Sequence, residues 1–301
     1  MPNKLLLAAA ESKRLEEFAS NNKLTRPIIG RYVAGTTLGE ALDASKALNH
    51  DGLDVSLDLL GESVTDIAQS EIATEEYLRV IEKLPTLAPH QSVSVKLSQL
   101  GVALDSARCE ANLRRLLVAA REHDSIVEVD MEHSSVGRET LAIFRRIQDE
   151  FPETRLAIQA YMRTTLEDLT EFKIPPRIRL VKGAFLESRD LVIKDTDDVT
   201  EQYKYLSVWA LKNVPDPAFG THDDTCIDLV KKTAAELGID KRAFEFQMLQ
   251  GVRRPLQDQL IREGYRVRIY LPYGTQWYPY LTRRMAEKPA NLLLFLRSLA
   301  G

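Results

Sequence analysis

Eight short runs of β-branched and apolar residues alternate with longer segments of helical pattern, and this alternation favours folds built on a parallel sheet. Each connecting segment is long enough to hold one helix. Eight strand–helix units within about 220 residues are typical of a closed (βα)8 barrel. The predicted strands are residues 53–60, 92–97, 126–131, 156–161, 178–184, 218–222, 244–249 and 267–271.

Two helical segments precede the first strand, at residues 4–20 and 37–48. No linker rich in Pro, Gly or Ser and no repeat of fixed period divides the chain, and 301 residues with 44% hydrophobic side chains are enough for one large core. We therefore predict an N-terminal helical extension over residues 1–50 and a catalytic barrel over residues 51–301.

Composition argues against several classes of protein. Forty basic and 44 acidic residues give a net charge of −4, so nucleic acid is not an expected partner. The two cysteines, Cys109 and Cys226, lie far apart without metal-binding spacing, so we expect neither a disulfide framework nor a metal site. The apolar residues 5–10 run directly into charged ones, too soon for a signal peptide or a membrane span, which predicts a cytoplasmic protein.

Polar residues gather at the C-terminal ends of the predicted strands, where barrel enzymes carry their active sites. Strand alternation places Glu128, Asp130 and Glu132 on one face, and it likewise groups Ser94 with Lys96. Each of these side chains, taken alone, is also explained as a solvated charge at the end of a strand. Taken together, they favour a functional site. The set is Asp58, Lys96, Asp130, Glu132, Gln159, Arg179, Lys182, His222, Gln247 and Tyr270.

The last polar segment begins as a strand and becomes a helix, with Pro279 suited to the first helical turn. Tyr280, Arg283, Arg284 and Glu287 occupy positions i, i+3, i+4 and i+7, which form one stripe. Two adjacent guanidinium groups match the two oxygens of a carboxylate, so the stripe predicts a carboxylate ligand. The alternative is an ordinary solvated helix face with an ion pair.

Eight short motifs at these strand ends and on the final helix occur in the order and spacing of the proline dehydrogenase family. The chain resembles this family from about Arg31 to its C-terminus. The resemblance implies a distorted (βα)8 TIM barrel with its final helix across the barrel mouth. It also implies FAD-dependent oxidation of L-proline to Δ1-pyrroline-5-carboxylate by hydride transfer. The motifs are LDLLGE (57–62), VKLS (95–98), VDME (129–132), QAY (159–161), RLVKGA (179–184), THD (221–223), FEFQ (244–247) and YLTRRMAE (280–287).

The resemblance also implies roles for single residues. The proline carboxylate is expected to be held by Lys96, Arg283 and Arg284. The walls around the proline ring are expected to be Tyr270, Tyr280 and Glu287. The catalytic pair is expected to be Asp130 and Arg179, in which the arginine favours negative charge on the flavin and the aspartate acts first as an orienting group.

FAD is expected to bind without a covalent bond and without a Rossmann domain, and no GxGxxG precedes a helix in this chain. Strict alternation puts Arg179 and Lys182 on opposite faces, so either the strand ends before Lys182 or Lys182 acts through its backbone. The cofactor contacts implied by the resemblance are Met131, Gln159, Arg179, Lys182, Gly183, Ala184, Thr221 and His222.

Two positions depart from the family pattern. Phe185 stands where many members carry tyrosine, which leaves substrate range or flavin tuning open. Arg163 lies one position earlier than the usual arginine, so no cofactor role is assigned to it.

Two other functions remain open at this point: a Schiff-base lyase or aldolase that uses Lys96 or Lys182, and a non-catalytic carboxylate-binding module. For the dehydrogenase, the resemblance implies a quinone as electron acceptor and a separate pyrroline-5-carboxylate dehydrogenase that takes the product. Peripheral association with the inner face of the cell membrane is left open.

Overall fold

A computed structural model describes the backbone of residues 26–61 and 63–286 and the side chains of residues 29–61 and 63–281. Eight parallel strands close into a barrel in chain order, because β1 pairs with both β2 and β8. The predicted (βα)8 barrel is confirmed. Its strands are β1 (Asp54–Leu59), β2 (Ser92–Lys96), β3 (Ile126–Asp130), β4 (Arg155–Gln159), β5 (Arg177–Val181), β6 (Ala218–Gly220), β7 (Glu245–Leu249) and β8 (Arg266–Tyr273).

A helix follows each barrel strand, and within the described residues two helices precede β1. The second of these confirms the helix predicted at 37–48, whereas the helix predicted at 4–20 lies outside the described residues. The helices are α1 (Arg26–Tyr32), α2 (Leu38–His50), α3 (Ile67–Lys83), α4 (Ser106–Glu122), α5 (Ser134–Ile147), α6 (Thr165–Thr170), α7 (Thr196–Asn213), α8 (Asp224–Glu236), α9 (Arg254–Arg262) and α10 (Trp277–Ala286).

Side-chain caps fix where several helices begin. At α2, Thr37 Oγ1 accepts from the Glu40 amide at 3.3 Å, while Glu40 Oε2 accepts from the Thr37 amide at 3.0 Å, which is a capping box. Asp66, Asp105 and Asp223 cap α3, α4 and α8 in the same position. Each cap sits in a loop that follows a barrel strand or α1, so the local sequence sets the length of these loops.

Seven of the eight strands end one to three residues away from the predicted position, and the differences at β5 and β8 bear on the site. β5 stops at Val181 because Gly183 adopts a φ of +101°, which no strand residue adopts, and the predicted strand 178–184 is therefore too long. β8 continues to Tyr273 because it stays paired with β1 from Arg268, opposite Asp54, to Tyr273, opposite Leu59. Lys182 thus lies just beyond β5, which removes the conflict between its face and that of Arg179.

The lower level of the barrel, where the strands begin, is filled by ion pairs. The main apolar core lies between the barrel and its helices. Arg155, Arg268 and Glu245 are fully buried, and Glu245 Oε1 accepts from Arg155 Nη1 at 2.6 Å and from Arg268 Nε at 2.8 Å. Burial alone would raise the pKa of Glu245, but the two arginines hold it well below its usual range. Charges buried this deeply persist because they are paired.

A second apolar cluster joins the two ends of the described chain. Tyr32 and Val33, at the end of α1, pack with Tyr278 and Leu281 of α10 and with Leu60, which follows β1. The start of α10 therefore rests at the C-terminal end of β1, on the side of the barrel mouth. The boundary at residue 50 remains a prediction, and α2 shares the main core through Ala41 and Leu48.

Candidate active site

Four predicted site residues, on β2, β3, β5 and β8, meet at the mouth of the barrel. Lys96 and Asp130 end neighbouring strands and are register partners, which places their side chains next to each other. Tyr270 donates from its hydroxyl to Asp130 Oδ2 at 2.9 Å, and Arg179 Nη2 donates to Asp130 Oδ1. The structure therefore brings Lys96, Asp130, Arg179 and Tyr270 into one cluster, which we call the mouth cluster.

Lys96 is held by two carboxylates and a phenol. Its ammonium contacts Asp58 Oδ1, lies 3.2 Å from Asp130 Oδ2 and donates to the Tyr270 hydroxyl at 3.2 Å. Burial alone would lower the pKa of Lys96, but Asp58 and Tyr270 raise it well above its usual value. A Schiff-base nucleophile needs a neutral amine, so this environment argues against an aldolase that uses Lys96.

Tyr270 forms one wall of the mouth cluster. Its ring centroid lies 5.3 Å from Arg179 Cζ and 5.9 Å from Lys96 Nζ, so both cations lie over the aromatic face. Burial, followed by the charge of Asp58, raises the pKa of Tyr270 above its usual value. The phenol therefore keeps its proton at neutral pH and acts as a donor to Asp130.

Arg179 reaches the mouth cluster from below and is only 5% exposed. Besides Asp130, its guanidinium donates through Nη1 to Ser94 Oγ at 3.1 Å, Gln247 Oε1 at 3.2 Å and Glu128 Oε2 at 3.3 Å. Four acceptors fix the planar fork in one orientation. The charge of Arg179 is thus held close to the floor of the mouth.

The predicted cofactor contacts on the β4, β5 and β6 side are fixed by local bonds. Gln159 Nε2 donates to the Glu132 carbonyl at 3.1 Å, and Lys182 Nζ donates to Asp223 Oδ2 at 2.7 Å and to Thr200 Oγ1 at 2.8 Å. Burial raises the pKa of Asp223, but bonds from Lys182 and Thr225 lower it overall to about 2. Lys182 is therefore an ion-paired lysine, which also argues against a Schiff base at this position.

Gly183 is required by the local backbone. A Cβ at this position would lie 2.3 Å from the Tyr161 ring, and φ is +101°. Gly183 is itself partly buried, and Ala184 next to it is exposed. The family resemblance implies that the Gly183 backbone approaches the cofactor, and this stays a prediction.

Three more of the predicted cofactor contacts lie after β3 and β6. Met131 is partly buried and packs against the main core. Thr221 Oγ1 accepts from the Asp223 amide at 3.1 Å, and His222 Nε2 accepts from the Leu249 amide at 2.9 Å. Both bonds fix the turn that leads from β6 into α8.

The structure describes part of the stripe on the final helix that is predicted to bind substrate. Tyr280 is 7% exposed and belongs to the cluster that holds α10 on Leu60. The backbone of Arg283 and Arg284 is helical, but their side chains and all of Glu287 lie outside the described residues. The carboxylate grip by these three residues stays a prediction.

The two positions that depart from the family pattern lie beside the β5–α7 loop. The Phe185 ring centroid lies 4.5 Å from that of His133, and the Phe185 side chain remains 37% exposed. Arg163 donates from Nε to the Arg189 carbonyl at 3.3 Å. These contacts give Arg163 a role in holding the loop.

Comparison with known proteins identifies the family. The sequence profile described as "Proline dehydrogenase" matches residues 41–294. The chain belongs to the proline dehydrogenase family. The prediction from the eight motifs is confirmed, and the membership makes the chain an oxidoreductase of proline catabolism.

Proline dehydrogenases from bacteria match nearly the whole chain. Proline dehydrogenase 1 of Bacillus subtilis is 35% identical over 296 residues, which cover 98% of each protein. Proline dehydrogenase of Deinococcus radiodurans is 37% identical over 294 residues, covering 96% of this chain and 94% of that one. Among solved structures, proline utilization A from Bdellovibrio bacteriovorus, inactivated by N-propargylglycine, superposes with a TM-score of 0.82 at 23% identity. That match covers 94% of this chain and 36% of the longer one, and supports the proline dehydrogenase barrel as the fold.

Sequence reasoning did not assign roles to four residues that contact the mouth cluster. Asp58 and Gln247 carried a signal as polar residues at strand ends, and Glu128 and Ser94 carried one through alternation with Asp130 and Lys96. Their partners became visible only in the folded barrel, where side chains from five strands meet. Asp58 pairs with Lys96, and the other three surround Arg179.

Proposed function

We propose that this protein oxidises L-proline to Δ1-pyrroline-5-carboxylate with non-covalently bound FAD as hydride acceptor. The observation that carries the proposal is the mouth cluster, in which Lys96, Asp130, Arg179 and Tyr270 form one connected network at the C-terminal end of the barrel. Barrel enzymes place their reacting groups at this end. Family membership supplies the reaction.

The residues of β4, β5 and β6 fit a flavin. Arg179 holds a fixed guanidinium at the mouth, and Gly183 turns the chain with a positive φ just beyond the end of β5. Met131, Gln159, Lys182, Ala184, Thr221 and His222 would complete the contacts. When FAD is bound, it supplies a two-electron acceptor whose reduced ring carries negative charge, and the positive charge of Arg179 stabilises that charge.

Substrate binding falls to the opposite half of the mouth. Lys96 and the guanidinium groups of Arg283 and Arg284 would hold the proline carboxylate, while Tyr270, Tyr280 and Glu287 would enclose the ring. A carboxylate held at several points fixes the carbon beside the ring nitrogen in one position. The Lys96 ammonium is already oriented by Asp58 and Asp130, so little ordering is needed when substrate arrives.

Asp130 organises the network. Both of its oxygens accept from donors: Oδ1 from Arg179, and Oδ2 from Tyr270 with Lys96 at 3.2 Å. A carboxylate with this many donors holds the two cations and the phenol in fixed positions relative to one another. We therefore assign Asp130 to orientation and charge balance first, and to proton acceptance from the proline nitrogen second.

We also propose that the electrons pass to a quinone at the membrane surface and that the product goes to a separate pyrroline-5-carboxylate dehydrogenase. Within the described residues, no helix combines the length and apolar character that crossing a bilayer requires. Turnover of proline with a water-soluble quinone analogue tests the acceptor. If an artificial dye supports turnover and the quinone does not, this part of the proposal fails.

One absorbance experiment tests the central function. The purified protein should be yellow, and anaerobic L-proline should bleach the flavin band. Acid precipitation should release the flavin into the supernatant, because it is not covalently bound. A colourless protein that borohydride links to a carbonyl substrate would instead indicate an aldolase, and one that binds carboxylates without either reaction would indicate a binding module.

A further inference from the structure

A fully buried carboxylate, Glu128, lies directly below the mouth cluster. It precedes Asp130 by two residues on β3 and so faces the same way into the barrel. Glu128 Oε2 lies 3.3 Å from Arg179 Nη1 and accepts from Gln247 Nε2 at 2.9 Å, while Oε1 accepts from Ser92 Oγ at 2.6 Å. Glu128 is thus fixed in place and touches the cation of the proposed catalytic pair.

Arg179 therefore has two counter-ions on its two amino groups. Nη2 bonds Asp130 at the mouth, and Nη1 bonds Glu128 below it. Burial raises the pKa of Glu128, but Arg179 and then Arg155 and Arg268 lower it overall, so the carboxyl is ionised at neutral pH. The reaction described above uses Asp130 and leaves Glu128 without a role.

Glu128 belongs to a network of ion pairs inside the barrel, which extends to the partly buried Asp54, Asp216 and Arg266. Four cations and four anions from the mouth to the lower level contact one another: Lys96, Arg155, Arg179, Arg268, Asp58, Glu128, Asp130 and Glu245. Interactions between charges are strong in such surroundings because little water screens them. Neutralising Glu128 would remove the negative charge that lies 3.3 Å from Arg179 Nη1.

We propose that Glu128 is a positioning residue that sets how much positive charge Arg179 presents to the flavin, and thereby the reduction potential of the flavin. This inference rests on the proposed function. Glu128 reaches the flavin only through Arg179, since Arg179 lies between it and the mouth. A weaker counter-ion under Arg179 favours the reduced, negatively charged flavin and raises the potential.

The test is the midpoint potential of the flavin in Glu128→Gln, a substitution that keeps shape and removes charge. We expect a rise equivalent to at least about tenfold in the reduction equilibrium, about 30 mV for a two-electron couple. Glu128→Asp, which keeps the charge, should bring the potential back towards wild type. Glu245→Gln is the matched control, because Glu245 is equally buried and ionised but pairs with Arg155, Arg266 and Arg268.

A second variant covers the case in which Glu128→Gln does not fold. The double variant Glu128→Gln/Arg155→Met removes one anion and one cation, so the net charge of the barrel interior is unchanged. It should still raise the potential, though less, because Arg155 lies 3.7 Å from Glu128 on the side of Glu245. A wild-type potential in either folded variant, or an equal rise in Glu245→Gln, overturns the inference alone. A wild-type preparation without flavin overturns the proposed function as well.

Discussion

Lys96 and Asp130 end adjacent strands in register, and their charged groups lie 3.2 Å apart at the barrel mouth. Each is also bound to a second partner of opposite charge, Lys96 to Asp58 and Asp130 to Arg179. The four groups form a chain of alternating charge from β1 through β2 and β3 to β5. Substitutions along this chain should therefore have different effects on substrate and on cofactor.

Replacing Lys96 with Met should raise the KM for proline at least tenfold, about 1.4 kcal/mol, while FAD stays bound. Methionine keeps most of the apolar stem and removes the ammonium that we propose holds the proline carboxylate. Steady-state kinetics with the flavin-to-protein ratio measured in parallel checks this. Lys204→Met is the control, because Lys204 lies on α7 and forms its ion pair with Glu201 of the same helix. Unchanged proline kinetics in Lys96→Met would remove Lys96 from the site.

Replacing Arg179 with Met should lower the flavin potential or loosen FAD, because the variant loses the fixed positive charge that we propose lies beside the flavin. Potentiometry and the FAD dissociation constant of the apoprotein measure the two effects. This direction is opposite to the one expected for Glu128→Gln, so the two variants test one electrostatic account from both sides. A variant with wild-type potential and wild-type FAD affinity would contradict the role of Arg179.

Replacing Arg284 with Lys should weaken proline binding by about 2–5 kcal/mol, because lysine keeps the charge and loses the two-pronged donor. Arg262→Lys, on the exposed end of α9, should change binding by less than about 1 kcal/mol. Tetrahydro-2-furoate, which has the carboxylate, should bind wild type competitively and Arg284→Lys poorly, whereas pyrrolidine, which lacks it, should react about equally poorly with both. If the variant binds proline and the analogue like wild type, the helix stripe faces solvent.

Replacing Asp223 with Asn should lower the free energy of unfolding at neutral pH. The variant should also lose less of its stability in acid than wild type does. Because the pKa of Asp223 is lowered on folding to about 2 from 3.8, its stabilisation is present above about pH 4 and is lost as the pH falls towards 2. We expect about 1–2 kcal/mol at pH 7, allowing for the partial exposure of the Lys182–Asp223 pair.

Urea unfolding at pH 7 and between pH 4 and 2.5 measures this difference. Asparagine preserves the cap at α8, so the change reports the ion pair with Lys182. Asp228→Asn, exposed on the same helix, should track wild type at every pH. A constant gap between wild type and Asp223→Asn down to pH 2.5 would show that another interaction is responsible.

The sequence by itself determined the barrel. Strand patterning, with apolar residues such as Val93 and Val95 alternating with Ser94 and Lys96, fixes which side of β2 faces the helices, and this information is local. It also located Lys96, Asp130, Arg179 and Tyr270 at strand ends, which a parallel barrel necessarily brings to one mouth.

The tertiary structure decided which side chains pair with each other. Arg179 meets Asp130 and Glu128 of β3, Ser94 of β2 and Gln247 of β7, and these contacts depend on the stagger and closure of all eight strands. No spacing within one strand encodes such a set, because each partner is set by register between chain segments far apart in sequence. The end of β5 before Lys182 likewise depends on the positive φ of Gly183 and on the Tyr161 ring packed against it, which lies just after the neighbouring strand β4.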